Sequence, residues 1–139
     1  MILVSACLIG ENCKYNGGNN LNEKLIEFLK NKEYISVCPE AISGLGTPRD
    51  AVEIVKGEVL TKEGISCTKE FEIGINKVLK EIEDYKIYYA VLQSRSPSCG
   101  VNKIYDGSFS GVLIKGKGKF AQALENKNIK TIDIEDMTL

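Results

Sequence analysis

Short apolar runs alternate with amphipathic segments along this chain, and that alternation restricts the possible fold more than any other feature. Apolar runs at 2–6, 34–38 and 86–93 are typical of buried strands. Between them, apolar residues at helical spacing predict helices over 21–32 and 68–84. Strands that alternate with helices indicate an α/β fold. We therefore expect an open, mainly parallel sheet flanked by helices, a Rossmann-like sandwich.

Smaller elements complete the predicted order. An N-cap is expected at Asn20, because Glu23 lies three residues later, as in a capping box. The segment 51–61 predicts a hairpin that turns at Lys56-Gly57. The remaining expectations are an extended segment at 110–114, a helix around 120–124 and a last strand within 128–134.

The composition is that of an ordinary globular domain, with 43% hydrophobic and 27% charged residues. A chain of 139 residues can bury its own core, so we expect one domain over residues 1–139. The net charge of −1 gives no indication of a nucleic-acid partner, and the apolar runs are too short to span a bilayer. We expect a cytoplasmic protein. The sequence does not indicate the oligomeric state.

The chain has five cysteines and no histidine. Cys7, Cys38 and Cys99 each stand at or just after the end of a predicted strand. Because the carboxyl ends of parallel strands share one edge of the sheet, where ligands bind, these three thiols are expected to converge. Cys13, six residues after Cys7, is a possible fourth member. Cys67 lies at the mouth of a predicted helix without polar companions, so we interpret it as a small core residue.

Converging thiols are compatible with three kinds of site. Structural zinc takes four ligands, typically from C-x-x-C pairs, which this chain lacks. An iron–sulfur cluster suits all-thiolate ligation, and three cysteines on a 4Fe–4S cluster would leave one iron open as a Lewis acid. A thiol enzyme would use Cys38 or Cys99 as nucleophile, although no histidine is present to activate it. The spacing alone leaves cluster, zinc and thiol chemistry open.

Polar residues accompany two of these cysteines. Glu40 belongs to the C-P-E segment, and Ser96 and Ser98 come just before Cys99. A carboxylate beside a bound substrate can activate water, and a hydroxyl can relay a proton. The simpler interpretations are a solvated carboxylate and ordinary turn serines. Arg49 is a candidate to bind a phosphate or a substrate carbonyl, although a loop arginine more often pairs with a carboxylate.

Three longer segments contain these residues, namely SACLIGENCKYNGG, SVCPEAISGLGTPRDAVEI and SRSPSCGVNKIYDGSFSG. In this order they resemble the signature blocks of the thiouracil desulfidase family, and the resemblance extends over the whole chain. It implies an enzyme that removes sulfur from its substrate by hydrolysis, without a redox step. In that chemistry a 4Fe–4S cluster held by three cysteines binds the sulfur of a thiolated pyrimidine at its one open iron. Water then replaces the sulfur at the ring carbon, and sulfide is released.

The resemblance also implies roles for individual residues. By motif position, Cys7, Cys38 and Cys99 are the cluster ligands, while Glu40 and Ser96 take part in proton transfer.

Three further residues, Cys13, Arg49 and Ser98, are additional candidates for the site. Cys13 is not among the implied ligands. The chain departs from the family pattern at Asn16, where the first block usually carries an aspartate in K/R-Y-D-G. The alternative function is a non-catalytic zinc- or iron–sulfur-binding module, in which the same cysteines stabilise the domain.

Overall fold

The computed structural model describes residues 1–139. It contains eight strands and three α-helices, together with short 3₁₀ helices at Ala6–Ile9 and Ile134–Asp136. In chain order the elements are β1 (Ile2–Ser5), α1 (Glu23–Leu29), β2 (Tyr34–Val37), β3 (Val52–Val55), β4 (Glu58–Thr61), α2 (Thr68–Ile82), β5 (Tyr89–Leu92), β6 (Lys103–Tyr105), β7 (Leu113–Lys115), α3 (Lys119–Asn126) and β8 (Thr131–Asp133).

The central sheet has four strands in the order β2-β1-β5-β8, and every neighbouring pair is parallel. The predicted α/β fold with a mainly parallel sheet is therefore confirmed. From β1 the chain goes to β2 on one side and later reaches β5 on the other, so the direction of strand addition reverses between β1 and β5. In open α/β sheets, ligands bind at the carboxyl ends of the strands beside such a reversal.

Side chains alternate between the two faces of the sheet, as strand geometry requires. Leu3 packs with Val78 of α2 and Phe120 of α3, whereas Val4 belongs to the cluster that contains Leu25 of α1. All five of these residues are fully buried. Burying one such side chain contributes about 1.5–3 kcal/mol, so the two helical layers hold the sheet and fix its carboxyl edge.

Two hairpins lie outside the central sheet. β3 and β4 form the predicted antiparallel hairpin, with Val55 paired to Glu58 across the turn. β6 and β7 form a second one, in which β7 corresponds to the expected extended segment. The strand β6, Lys103–Tyr105, was not predicted from sequence.

The predicted N-cap at Asn20 is wrong. Asn22 is the N-cap of α1, and its side chain accepts a hydrogen bond of 2.9 Å from the amide of Leu25. The amide group of Asn20 instead lies 3.5 Å from the sulfur of Cys7, so the residue belongs to the loop that carries this cysteine.

The helices are short relative to the thickness of a lipid bilayer. None of them is long and apolar enough to cross a membrane.

Candidate active site

Cys7 lies directly beyond the carboxyl end of β1, in the 3₁₀ helix Ala6–Ile9. The last residue of β1, Ser5, accepts a hydrogen bond of 3.0 Å from the amide of Gln93, which follows β5. This bond ties together the ends of the two strands beside the reversal. The thiol of Cys7 is buried and receives the hydrogen bond from Asn20. The first predicted ligand thus stands at the predicted edge of the sheet.

Cys38 follows β2, and its sulfur lies 3.8 Å from the backbone oxygen of Cys13. The Cys13 thiol stands between Cys7 and Cys38, within hydrogen-bonding reach of both sulfurs. Mainly because the Cys13 thiol can donate a hydrogen bond to either sulfur, the pKa of Cys7 falls to about 7 and the pKa of Cys38 is also lowered. The pKa of Cys13 is raised for the same reason. Because the Cys13 thiol has one proton, it can donate to only one of the two neighbouring thiolates at a time, while Cys13 itself stays protonated.

Cys99 follows β5 and is buried at the same edge. Its pKa is raised, first by burial, and further by the negative charges of Cys38 and Cys7. The Ser98 hydroxyl lies 3.8 Å from the Cys99 sulfur and 2.5 Å from Glu40 Oε2, so Cys99 lies beside the loop that carries Cys38 and Glu40. A positively charged metal group at this place would relieve their repulsion and favour three thiolates. The structure thus places the three predicted ligands on loops at one edge of the sheet, with Cys13 in contact with Cys38.

The donor set at this edge of the sheet consists of free thiols. No three cysteine, aspartate or glutamate side chains are arranged so that they could ligate a single ion. Structural zinc, in contrast, is held by four ligands at about 2.0–2.3 Å from the metal. An iron–sulfur cluster is held by thiolates, and the three cysteines at this edge supply only sulfur donors, which fits a cluster of this kind.

The loop that carries Cys99 is held from two sides. The Ser96 hydroxyl accepts hydrogen bonds from the amides of Ser98 at 3.1 Å and Cys99 at 2.9 Å. The backbone oxygen of Ser98 accepts from the amide of Phe120 in the first turn of α3, at 2.9 Å. A Cβ on Gly118 would lie only 2.4 Å from that oxygen, so this close approach requires a glycine.

Glu40 is joined to Ser96 through Ser98. The Ser98 hydroxyl is buried, donates to Glu40 Oε2 at 2.5 Å, and lies 3.0 Å from the Ser96 hydroxyl. Since Ser98 has one hydroxyl proton and gives it to Glu40, the Ser96 hydroxyl must be the donor between the two serines. The hydrogen bonds therefore run in one direction, from Ser96 through Ser98 to the carboxylate.

Arg49 lies on the other side of Glu40. Its Nη2 is 3.4 Å from Glu40 Oε1 and donates to the backbone oxygen of Cys13 at 2.8 Å. Only 5% of its side chain is exposed, so the guanidinium faces protein groups rather than a solvent-filled cleft. The structure thus shows the carboxylate pairing that is the commoner fate of a loop arginine.

Known proteins resemble this chain over nearly its whole length. The 2-thiouracil desulfurase family model matches residues 2–136. The chain belongs to this family. It is 33% identical to the uncharacterized protein YbbK of Bacillus subtilis (strain 168), over 99% of this chain and 97% of YbbK. The solved structure of the [4Fe–4S]-dependent thiouracil desulfidase TudS is similar at 33% identity and a TM-score of 0.91, covering 98% of this chain and 91% of TudS.

The departure of this 2-thiouracil desulfurase family member at Asn16 has a simple structural account. The Asn16 side-chain oxygen accepts a hydrogen bond of 2.9 Å from the amide of Gly18, two residues on. An aspartate oxygen can make the same turn, because Asn and Asp both bond to the backbone two residues ahead. Asn16 is exposed, and it shapes the loop between Cys13 and Asn20.

One residue that positions the site was not predicted from sequence. Gly74 lies within α2, and a Cβ there would stand 2.0 Å from the backbone oxygen of Pro39. The C-P-E loop therefore rests directly on the helix at this glycine. The only signal in the sequence is a glycine inside an otherwise strongly helical segment, which often has a packing reason.

Cys67 has the predicted structural role. It precedes α2 and is buried in a cluster with Val52, Val59 and Phe71, away from the other four cysteines. Burial raises the pKa of its thiol, which keeps it protonated and unreactive.

Proposed function

We propose that this protein is a 4Fe–4S-dependent desulfidase, which replaces the C=S group of a thiolated pyrimidine by C=O and releases sulfide. One observation supports this most strongly. Three cysteines distant in sequence follow three strands at the carboxyl edge of the sheet, and a buried serine next to one of them bonds to a carboxylate two residues from another. Family membership and the likeness to TudS agree with this chemistry.

In the proposal, Cys7, Cys38 and Cys99 hold the cluster. When bound through only these three thiolates, a 4Fe–4S cluster supplies one open iron as a soft Lewis acid for the thiocarbonyl sulfur. Asn20 donates to the sulfur of Cys7 and thereby orients this ligand. Cys13 lies beside two ligands but is not itself counted as one.

The reaction needs a proton route, because water adds to the ring carbon and sulfur leaves from it. The balance is R₂C=S + H₂O → R₂C=O + H₂S, so two protons pass from water to sulfur. In the direction that the hydrogen bonds define, the Ser96 hydroxyl gives its proton to Ser98, and Ser98 gives its own proton to Glu40. Ser96 regains its proton from the attacking water. The proton held by Glu40 returns along the same serines to the departing sulfur. The hydroxyl that water leaves on the ring carbon then gives up the second proton, which passes to sulfur by the same route as the C=O group forms.

Further parts of the proposal concern the setting of the reaction. We propose that residues 1–139 act as one desulfidase-like domain in the cytoplasm. The substrate is a small thiolated base or nucleotide.

Anaerobic reconstitution with iron and sulfide, followed by assays on a panel of thiolated bases and nucleotides, tests the activity. The wild-type protein should release sulfide from at least one member of the panel. Glu40→Gln should keep the cluster absorbance near 400 nm, typical of such clusters, and lose turnover by about 10²-fold or more. If Glu40→Gln turned over as fast as the wild type, or if fully loaded wild type released no sulfide, a non-catalytic binding module would be the better account.

A further inference from the structure

We infer that Arg49 is a positioning residue that clamps the loop carrying Cys7 and Cys13 to the loop carrying Cys38 and Glu40. The first of these, the segment 6–20, is termed the first cysteine loop, and the segment 38–50 is termed the second cysteine loop. The role of Arg49 in aiming Glu40 rests on the proposed function, whereas its role as a clamp between the loops does not.

Arg49 connects the two loops through both its backbone and its side chain. Its amide donates to the backbone oxygen of Tyr15 at 2.8 Å, and its Nη2 donates to the backbone oxygen of Cys13 at 2.8 Å. That Cys13 oxygen is also the one that lies 3.8 Å from the sulfur of Cys38. The Arg49 guanidinium therefore binds the same backbone oxygen at which the first cysteine loop contacts the thiol of Cys38.

The same guanidinium also closes the second cysteine loop on itself. Nη1 donates to Thr47 Oγ1 at 2.8 Å and to the backbone oxygen of Gly46 at 3.2 Å, while Nη2 reaches Glu40 Oε1 at 3.4 Å. With Ser98 on Oε2, both oxygens of the Glu40 carboxylate are held. A carboxylate fixed at both oxygens keeps one orientation toward Ser98 and the proton route.

The burial and the shape of the contacts require an arginine. The side chain is 5% exposed, and its Nε is buried without a hydrogen-bond partner. Burying this unpaired N–H group costs free energy, which the other contacts of the guanidinium offset. The contacts point in two directions from a planar fork, toward Gly46 and Thr47 on one side and toward Cys13 and Glu40 on the other. A lysine ammonium has a single nitrogen and cannot serve both sides at once.

The clamp can be tested without the cluster and without an assay of turnover. Amide hydrogen exchange of the reduced, cluster-free protein would be measured for Arg49→Met, Arg49→Lys and wild type. The control is Arg95→Met, because Arg95 is the other arginine of the chain and pairs with Glu135 at 3.4 Å on the surface, where both side chains are more than half exposed. Loss of hydrogen bonds to a charged group should raise exchange by roughly tenfold or more in both cysteine loops of Arg49→Met.

The outcomes separate clearly. Arg95→Met should match the wild type in both loops, and Arg49→Lys should resemble Arg49→Met. If Arg49→Met proved unfolded by circular dichroism, the test would rest on Arg49→Lys, which keeps the charge but not the fork. Wild-type exchange rates in both loops of Arg49→Lys would overturn the inference. Absence of sulfide release from the loaded wild type would overturn the proposed function and leave the clamp unaffected.

Discussion

Replacing Gly74 by alanine tests how closely the C-P-E loop depends on α2. An added Cβ would lie 2.0 Å from the Pro39 oxygen and 3.2 Å from the Cβ of Ser43, where ordinary contact begins at 3.4 Å. The loop with Cys38 and Glu40 must therefore move away by a distance on the order of 1 Å. At an exposed helical position the same substitution would stabilise by about 1 kcal/mol. Here, overpacking costs about 1–3 kcal/mol and offsets or exceeds that gain.

The prediction for Gly74→Ala has two parts. Urea unfolding should show a free energy of unfolding that is unchanged or lower by up to about 2 kcal/mol, instead of higher by about 1 kcal/mol. Turnover of the loaded protein should fall by about 10²-fold, because a 1 Å displacement of catalytic groups can have that effect. Asn76→Ala, at an exposed position of the same helix, is the control and should be stable and active. A stabilised Gly74→Ala with wild-type turnover would refute the reasoning.

Three other predictions concern single residues of the chain. Ser98→Ala should lower turnover by about 10²-fold or more at unchanged iron content, since it interrupts the route to Glu40; equal turnover would show that the route lies elsewhere. In reduced, cluster-free protein, the rate of alkylation of Cys7 should rise with the thiolate fraction and reach half of its maximum near pH 7. A midpoint near about 8.5, the pKa of an ordinary thiol, would contradict the lowered pKa. Cys67→Ala should cost about 1 kcal/mol of stability and leave the iron content of the reconstituted protein unchanged, whereas loss of iron would place this thiol in the site.

The parts of the fold with regular sequence patterns were predictable. Alternating apolar runs and helical spacing identified β1, β2, β5, α1 and α2, and a parallel sheet then implied that Cys7, Cys38 and Cys99 meet at one edge. That inference needed only the rule that parallel strands end on the same side. The structure places all three cysteines on loops at that edge, and the bond between Ser98 and Glu40 joins the loops of Cys99 and Cys38.

Contacts between segments distant in sequence were not predictable in the same way. Nothing near Gly74 indicates that Pro39 rests on it, and nothing near Gly118 indicates that Ser98 lies 2.4 Å from its absent Cβ. Both glycines stand where another backbone approaches closely, and only the folded chain shows which backbone that is. The place of Cys13 between two other thiols is likewise a property of the folded loop.

The capping residue of α1 shows a more local limit. Asn20 and Asn22 both precede the helix, and each can accept from an amide within the first turn. The capping-box spacing favoured Asn20, but Asn20 is held by the first cysteine loop through its bond to the Cys7 sulfur. The contact between Asn20 and Cys7, which is distant in sequence, therefore leaves Asn22 as the N-cap, although both asparagines could cap the helix.

The balance of products in a reaction without reductant tests the central claim most directly. Anaerobically reconstituted wild-type protein would be incubated with 2-thiouracil and the related thiolated nucleotides, with no electron donor present, and sulfide and oxo-pyrimidine would be measured together. A non-redox desulfidase should form the two products in equal amounts over many turnovers with at least one of these compounds. Failure of fully iron-loaded protein to release sulfide from any of them, or turnover that required an added reductant, would contradict the account.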